Sequence, residues 1–365
     1  MRTHSSSFPR IPLSTRWGYA GILILLLSLP ACQSEEIPLT RFEDSTVINS
    51  LLASAPHFVA NTDIEAERWI ATTRLGLPTD SLILGRPSPM IAIGDSVYVS
   101  ERSGNIFAIG ADGYLSRKIG NPGKGPGEFE FLTGLQYNGS QIFVREAERV
   151  QVLTTKFEYV GSFLSSAPLQ ESFSVSPDYV FVQCPGNDWL VCARSTSPLY
   201  DWTPSIKLLP VLNLSDRSGE NFHEVTVSPE GDRIAVAYSG LPYIFIYDDE
   251  FRHLHTIRFA GSGVRNFKPV GSPNGAPAGV EPGSFSFIAV IKFINSRFLV
   301  ARAPTIEHYV FDLSENDYNL ARKIIFHPPD DMKGISAADF LLHGNHLYVS
   351  SRWEEYVYGY EFDLE

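Results

Sequence analysis

The chain is poor in cysteine, poor in positive charge and lacks any long apolar run beyond its N-terminal leader. Three cysteines in 365 residues, Cys32, Cys184 and Cys192, exclude a disulfide-stapled scaffold. Forty-one Asp and Glu against 29 Lys and Arg leave a net charge of −12, which argues against nucleic acid or an anionic lipid surface as the main partner. After Cys32 no stretch approaches the ~20 apolar residues of a membrane-spanning helix. No Gly-x-Ser-x-Gly nucleophile motif occurs, and no clear Cys–His pairing. What is present is apolar content of 44% and aromatic content of 12%, ample for a packed core.

The leader has its own logic. Arg2, Arg10 and Arg16 make a positive region, and Trp17 to Leu29 an apolar one too short to cross a bilayer. Leu29-Pro30-Ala31-Cys32 resembles the lipobox of bacterial lipoproteins. That resemblance implies cleavage before Cys32, acylation of the new N-terminus, and membrane attachment without a transmembrane helix. Gln33-Ser34-Glu35-Glu36 resembles outer-membrane sorting and surface-export signals of such lipoproteins, implying a place in the cell envelope. The expected organisation is a signal peptide over 1–31, a lipidated tether over 32–61 and one folded domain over 62–365. A short helix is expected near Ser45–Ala53, and Arg68–Leu75 alternates as a half-buried strand does.

From Met90 onward a unit of about 40 residues recurs: four short strands with tight turns between them, the mark of a β-propeller. The stretches Val225–Tyr238 and Val180–Ala193 align as strand, Pro-Gly-containing turn and strand. The first blade is expected at Met90–Ile93, Ser96–Ser100, Asn105–Ile109 and Tyr114–Ile119, and the second at Leu132–Tyr137, Gln141–Val144, Val150–Leu153 and Tyr159–Leu164. The third starts at Tyr179, with outer strands within 199–212. The fourth uses Glu224–Ser228, Arg233–Tyr238, Tyr243–Tyr247 and Leu254–Phe259, and the fifth Phe287–Phe293, Arg297–Ala301, His308–Leu313 and Arg322–Phe326. The sixth offers Ala338–Leu342, His346–Ser350 and Tyr356–Phe362, one strand short. The fold class is therefore all-β: a six-bladed β-propeller of four-stranded antiparallel blades, its ring closed by the N-terminal strand near Arg68–Leu75. A Gly/Pro/Ser-rich insertion spans 260–284.

Between the first two blades stands Gly120-Asn121-Pro122-Gly123-Lys124-Gly125-Pro126-Gly127-Glu128-Phe129. Its Gly-Lys-Gly-Pro-Gly-Glu-Phe core resembles the signature of NHL-like six-bladed propeller lipoproteins of Bacteroidota and related bacteria. The resemblance covers nearly the whole chain and implies fold and location. That family is largely of unassigned function, so it implies no chemistry.

Candidate chemistry concentrates on one rim. The glycine loop could offer backbone N–H groups to an anion beside Lys124, or serve as a rigid connector that needs glycine for positive φ. It is neither a Walker loop nor a dinucleotide fingerprint, lacking Lys-Ser/Thr and a following helix. An arginine recurs near the end of the expected second strands: Arg102, Arg145, Arg194, Arg302 and Arg352. With Lys124, Arg265 and Lys268 these could ring one mouth of the channel and draw in an anionic ligand. Alternatively they pair with Glu101, Glu146, Glu148, Glu307, Glu354 and Glu355 and hold neighbouring blades together. Trp353, beside Arg352, reads as a partner anchor or as a half-buried loop residue.

His253 and His255 alternate on one strand, half of a metal site at most, and His343 and His346 read as turn residues. Glu224, His223, Asp339 and Asn138 are the polar groups on or next to innermost strands, too sparse to assign a metal. An extracytoplasmic compartment permits a Cys184–Cys192 disulfide, whereas a four-residue turn at Pro185–Asp188 would set Cys184 opposite Trp189 and leave the two as buried free thiols. Strand aromatics, Tyr98, Phe107, Phe143, Phe245, Tyr247, Phe311, Tyr348 and Tyr358, read as packing between blades.

The reading expected from the sequence is a non-catalytic binding or scaffolding lipoprotein of the cell envelope without a cofactor. It would be membrane-attached through Cys32 and take a protein, an anionic small molecule or a glycan on the propeller face. The alternatives are a metal-dependent hydrolase or lyase, lactonase-like or amidating-lyase-like, with a channel metal, and a sensory or assembly subunit working with another membrane protein.

Overall fold

Runs of β-branched and aromatic residues, cut by Gly-, Asp- and Asn-containing turns, build the molecule from short antiparallel strands. The structure is a computed structural model that describes residues 46–147, 149–164, 173–183, 191–196, 223–238, 241–265, 287–303, 306–314, 318–330, 333–351 and 353–363. All of them belong to one unit, Pro38–Glu365. The leader, Cys32, Cys184, Glu148, Lys268, Arg352 and the stretch 199–212 lie outside the described residues, as do the side chains of Cys192, Arg194 and Arg265 and most of the 260–284 insertion.

A helix α1 (Thr46–Ser54) is followed by three strands, β1 (His57–Asn61), β2 (Glu67–Ile70) and β3 (Thr73–Leu75). Meandering sheets follow. The first is β4 (Pro87–Ile93), β5 (Ser96–Glu101), β6 (Asn105–Ile109) and β7 (Leu115–Ile119). The second is β8 (Gly134–Tyr137), β9 (Gln141–Arg145), β10 (Arg149–Thr154) and β11 (Tyr159–Leu164). In the third, β12 (Phe173–Val175), β13 (Tyr179–Gln183) and β14 (Val191–Ser195) are described. The fourth is β15 (His223–Val227), β16 (Arg233–Tyr238), β17 (Tyr243–Asp248) and β18 (His253–Ala260), followed by a short α2 (Ser262–Arg265). The fifth is β19 (Val290–Phe293), β20 (Phe298–Arg302), β21 (His308–Asp312) and β22 (Asn319–His327). The last is β23 (Asp339–His343), β24 (His346–Ser350) and β25 (Val357–Glu361).

First strands touch one another in cyclic order, β4 to β8, β8 to β12, β12 to β15, β15 to β19, β19 to β23 and β23 back to β4. This is a β-propeller arrangement. Five of its sheets carry four or more strands, and the third has three described ones. The core lies between the sheets. Phe143 and Val152 of the second sheet, for example, pack with Phe173 and Val182 of the third. Phe107, Phe143, Phe245, Tyr247, Phe311 and Tyr358 are buried, as their alternation predicts.

The N-terminal segment is a strap around the outside. β3 pairs antiparallel with β25 and supplies the fourth strand of the last sheet, so part of the expected closing strand closes it. β2 instead pairs parallel with β22, and β1 parallel with β18, each adding a fifth strand. Residues 46–61, read from the sequence as tether, thus carry α1 and β1 on the propeller. Leu51 and Leu52 of α1 pack against the cluster that includes Phe181, Val225 and Tyr247.

One repeated detail is a bulge. Pairing of the third with the fourth strand slips at Ala108/Ile109, Val152/Leu153, Ile246/Tyr247 and Val310/Phe311, one slip in each of four sheets. A slip at the same place in each repeat raises the local twist that a blade needs.

The third sheet corrects the sequence reading. Phe173–Val175 is its first strand, so Tyr179–Gln183 is the second and Val191–Ser195 the third. A first-to-second hairpin and a second-to-third hairpin have the same strand–turn–strand pattern. Only contact with the neighbouring first strands β8 and β15 tells them apart. The expected turn at Pro185–Asp188, with Cys184 opposite Trp189, lies outside the described residues; the strands that flank it pair Gln183 with Val191.

Candidate functional site

Second strands end at Glu101, Arg145, Tyr238, Arg302 and Ser350, opposite Pro87, Gly134, His223, Val290 and Asp339 where first strands begin. These pairs define one rim of the propeller. Arg102, Arg145 and Arg302 stand at it. Arg194 does not: it pairs with Val180 near the start of a second strand, at the opposite end of its blade. Its place in a single arginine ring is a correction that follows from the shifted strand order.

The arginines at this rim have structural work. The Arg102 guanidinium lies over the Phe131 ring at 4.8 Å, and Phe131 sits in the segment entering β8. Arg302 Nη1 donates to Ser336 Oγ in the segment entering β23. Each therefore ties the end of a second strand to the chain entering the next blade. Arg145 is fully buried, and the missing Cβ of Gly134 opposite it leaves room for Phe173 of the third sheet.

The expected glutamate partners have work of their own within their blades. Glu101 accepts from Gly85 N and from Ser103 Oγ at 2.8 Å. Glu146 accepts from Arg149 Nε at 2.5 Å, Gln151 Nε2 at 2.9 Å and Glu130 N at 2.8 Å. Glu307 meets Lys323 Nζ at 2.9 Å and accepts from Tyr309 OH at 3.0 Å. Glu354 accepts from Tyr358 OH at 3.3 Å.

The glycine loop is a clamped connector. Gly125 N donates to the Glu128 carboxylate at 2.9 Å, Gly127 N to Gln151 Oε1 at 2.9 Å, and Gly123 N to Phe129 O at 3.2 Å. The carboxylate of Glu128 thus takes the place an anion would need, and the connector reading of this loop stands. From outside, Arg149 donates to the carbonyls of Lys124 at 2.6 Å and Glu128 at 3.0 Å, and Gln151 Nε2 donates to Glu128 O at 2.6 Å. Gly120, at φ +74°, packs so closely on Phe129 that a Cβ would collide with the ring. Lys124 is exposed, with Nζ 3.4 Å from Glu130. Arg149 and Gln151 were not singled out from the sequence. Their only signal is that polar residues stand in an otherwise apolar strand.

Trp353 is 72% exposed, directly after the rim of the last blade. The half-buried alternative for this residue is corrected. At the channel side, Asp339 Oδ1 lies 3.2 Å from Lys292 Nζ while its Oδ2 accepts from Met90 N at 2.8 Å, linking three consecutive first strands. Two more ties repeat the idea: Val227 N donates to Ser174 Oγ at 3.0 Å, and Phe293 N to Thr226 Oγ1 at 3.2 Å. His308 is fully buried between Phe326 and Phe340. Burial first, and the Arg302 charge second, push its imidazole down to about 3. It is neutral at any ordinary pH.

Among the described residues no group of three or more His, Cys, Asp or Glu side chains is placed to hold a metal ion. Among them, too, no helix is long and apolar enough to cross a membrane.

No protein-family model matches the chain, and no curated protein matches it. Among solved structures, it is similar to a Bacteroides fragilis protein named as a candidate exported protein, 12% identical, with a TM-score of 0.46 over 80% of this chain and 87% of that one. A likeness of that depth carries no argument about function.

Proposed function

We propose that the protein is a non-catalytic binding or scaffolding protein of the bacterial cell envelope, presenting the rim where second strands end to a partner or anionic ligand. In this reading the third sheet is a full blade, the propeller has six, and Cys32 carries a lipid anchor after removal of residues 1–31. The NHL-like resemblance of the glycine loop and the lipobox-like Leu29–Cys32 support fold type and location. The observation that carries the binding reading is Trp353, a large aromatic held out into solvent on the rim, with the Arg102–Phe131 stack on the same rim. Of the candidate cations this reading uses Arg102, which lies over Phe131 on the same rim as Trp353, and the exposed Lys124; Arg145 is buried.

The test is a thermal-shift screen of the full chain against carboxylates, phosphates, acidic sugars and divalent metals. The same screen is run on Trp353→Ala and Arg102→Ala. Trp353→Ala should change stability by no more than about 0.5 kcal/mol, as a surface substitution does. A ligand at a hundred times its Kd should stabilise the parent by about 2.7 kcal/mol, and the two variants much less. Silence across the panel together with loss of a protein partner in Trp353→Ala would assign the rim to a protein. A response to calcium or zinc alone, unaffected by either variant, would overturn the reading in favour of the metal-dependent hydrolase or lyase.

A further inference from the structure

Away from the rim, β1 is the outermost strand of the fourth sheet, paired on one side with β18 and on the other with no strand among the described residues. A parallel ladder uses every second residue of a strand. The bonds at its two ends run from Thr256 N to Pro56 O at 2.9 Å and from Thr62 N to Ala260 O at 2.7 Å. Phe58 and Ala60 therefore bond to β18, and the N–H and C=O groups of His57, Val59 and Asn61 point away from it. Burial follows the same period: Ala60 is fully buried and Phe58 half-buried, whereas His57, Val59 and Asn61 are exposed.

An open strand edge is a template for pairing, and proteins guard it with charge, shortness or cover. In the other sheets of four or more strands the outermost strand has such a guard. β7 carries Arg117 and Lys118, β2 carries Glu67 and Arg68, and β3 is three residues long with Arg74 at its centre. β11 is buried at Gly161 and Phe163. β1 has none of these: His-Phe-Val-Ala-Asn contains no Asp, Glu, Lys, Arg or Pro, and its pairing with β18 runs without a bulge. At its centre Val59 is 47% exposed.

We propose that β1 is a self-association edge: two copies of the chain pair antiparallel through β1, about a twofold axis at Val59. That register joins every outward backbone group. Val59 exchanges both hydrogen bonds with Val59 of the second copy, and His57 of each copy does the same with Asn61 of the other. The two Val59 side chains meet on the axis, and the fourth sheets of both copies become one continuous sheet. A chain with a net charge of −12 repels its own copies over most of its surface, whereas this strand has no acidic residue. Just beyond the strand the register sets Asp63 against Ala55, so no like charges face each other there. A strand of five residues makes a small contact, so the association is weak and depends on concentration.

The experiment is sedimentation equilibrium of the full chain over a wide concentration range, joined to disulfide trapping. The expected result is a mass that rises from monomer towards dimer with concentration. Val59→Lys sets two ammonium groups on the axis, and Val59→Pro removes an N–H that β18 does not use. Each should weaken association by about tenfold or more while melting with the parent, because the site is exposed. A hydrogen-bonded antiparallel pair holds its Cα atoms about 5.5 Å apart, within disulfide reach. Val59→Cys should therefore cross-link two copies under mild oxidation, above the level of the parent. In His57→Cys the two new cysteines lie about 13 Å apart and should not. A monomer at every concentration, a dimer indifferent to both Val59 variants, or cross-linking of His57→Cys as fast as that of Val59→Cys would each overturn the proposal.

Discussion

His308 shows what a single residue contributes when its chemistry is set by burial. It stands opposite Arg302 in the fifth sheet and packs edge-on against Phe326 and Phe340. Its folded value of about 3 lies below the ordinary 6.5, so the unfolded chain binds the proton that the folded one refuses. The contribution to stability is complete above about pH 6.5 and is lost progressively as pH falls toward 3. His308→Phe, which keeps the aromatic contacts, should therefore flatten the acid limb of stability, read as urea midpoints from pH 7 to pH 4. An unchanged slope would show that other groups set that limb. Phe157 and Phe251 make a related point about the backbone. Each holds positive φ in the turn from third to fourth strand, where the first blade uses Gly113. Each is packed on a tyrosine, Tyr98 at 4.8 Å and Tyr179 at 5.5 Å. Left-handed backbone costs about 1–2 kcal/mol for such a residue, and that packing offsets it. Nothing in the local sequence marks these turns as equivalent to a glycine turn, because the compensation comes from another blade.

At the scale of elements, the strands of the first, second, fourth, fifth and last sheets were legible to within a few residues. Arg233–Tyr238 and Tyr159–Leu164, for instance, are observed as read. Alternation and turn chemistry are local, and local signals suffice for hairpins. The order of strands in the third sheet was not legible, since it depends on which hairpin strand meets β8 and β15. That error moved Arg194 to the wrong end of its blade. Contacts between first strands were equally hidden, although Asp339 was noted as a polar residue of an innermost strand. Asp339→Asn keeps an acceptor for Met90 N but leaves the Lys292 ammonium without its carboxylate, and should cost about 1 kcal/mol. Asp339→Ala loses both and should cost about 3 kcal/mol. Urea unfolding of the two variants checks the ranking, and equal costs would mean that the hydrogen bond to Met90 N contributes nothing beyond the ion pair.

At the scale of the molecule, the strap decides how the ring is finished. β3 completes the last sheet, whereas β1 and β2 only add to sheets that already have four strands. A chain starting at Glu65 should therefore be monomeric with a lower melting temperature. One starting at Leu77 should expose the edge of β25 and aggregate. Size-exclusion chromatography with light scattering distinguishes them, and a monomeric chain from Leu77 would show that β3 is not what protects that edge. By itself the sequence determined the all-β class, the propeller repeat, most strand boundaries and the N-terminal origin of the closing strand, because each rests on period, turn residues or counting. Only the tertiary structure decided that the strap runs parallel along two outer edges and that the glycine loop is filled by its own Glu128. It also decided that Arg145 is buried while Trp353 is exposed, and that Ser54 at the end of α1 meets His253 of β18. These depend on which distant segments come into contact, and a residue's burial, charge state and free hydrogen-bonding capacity are set by those contacts rather than by its neighbours in the chain.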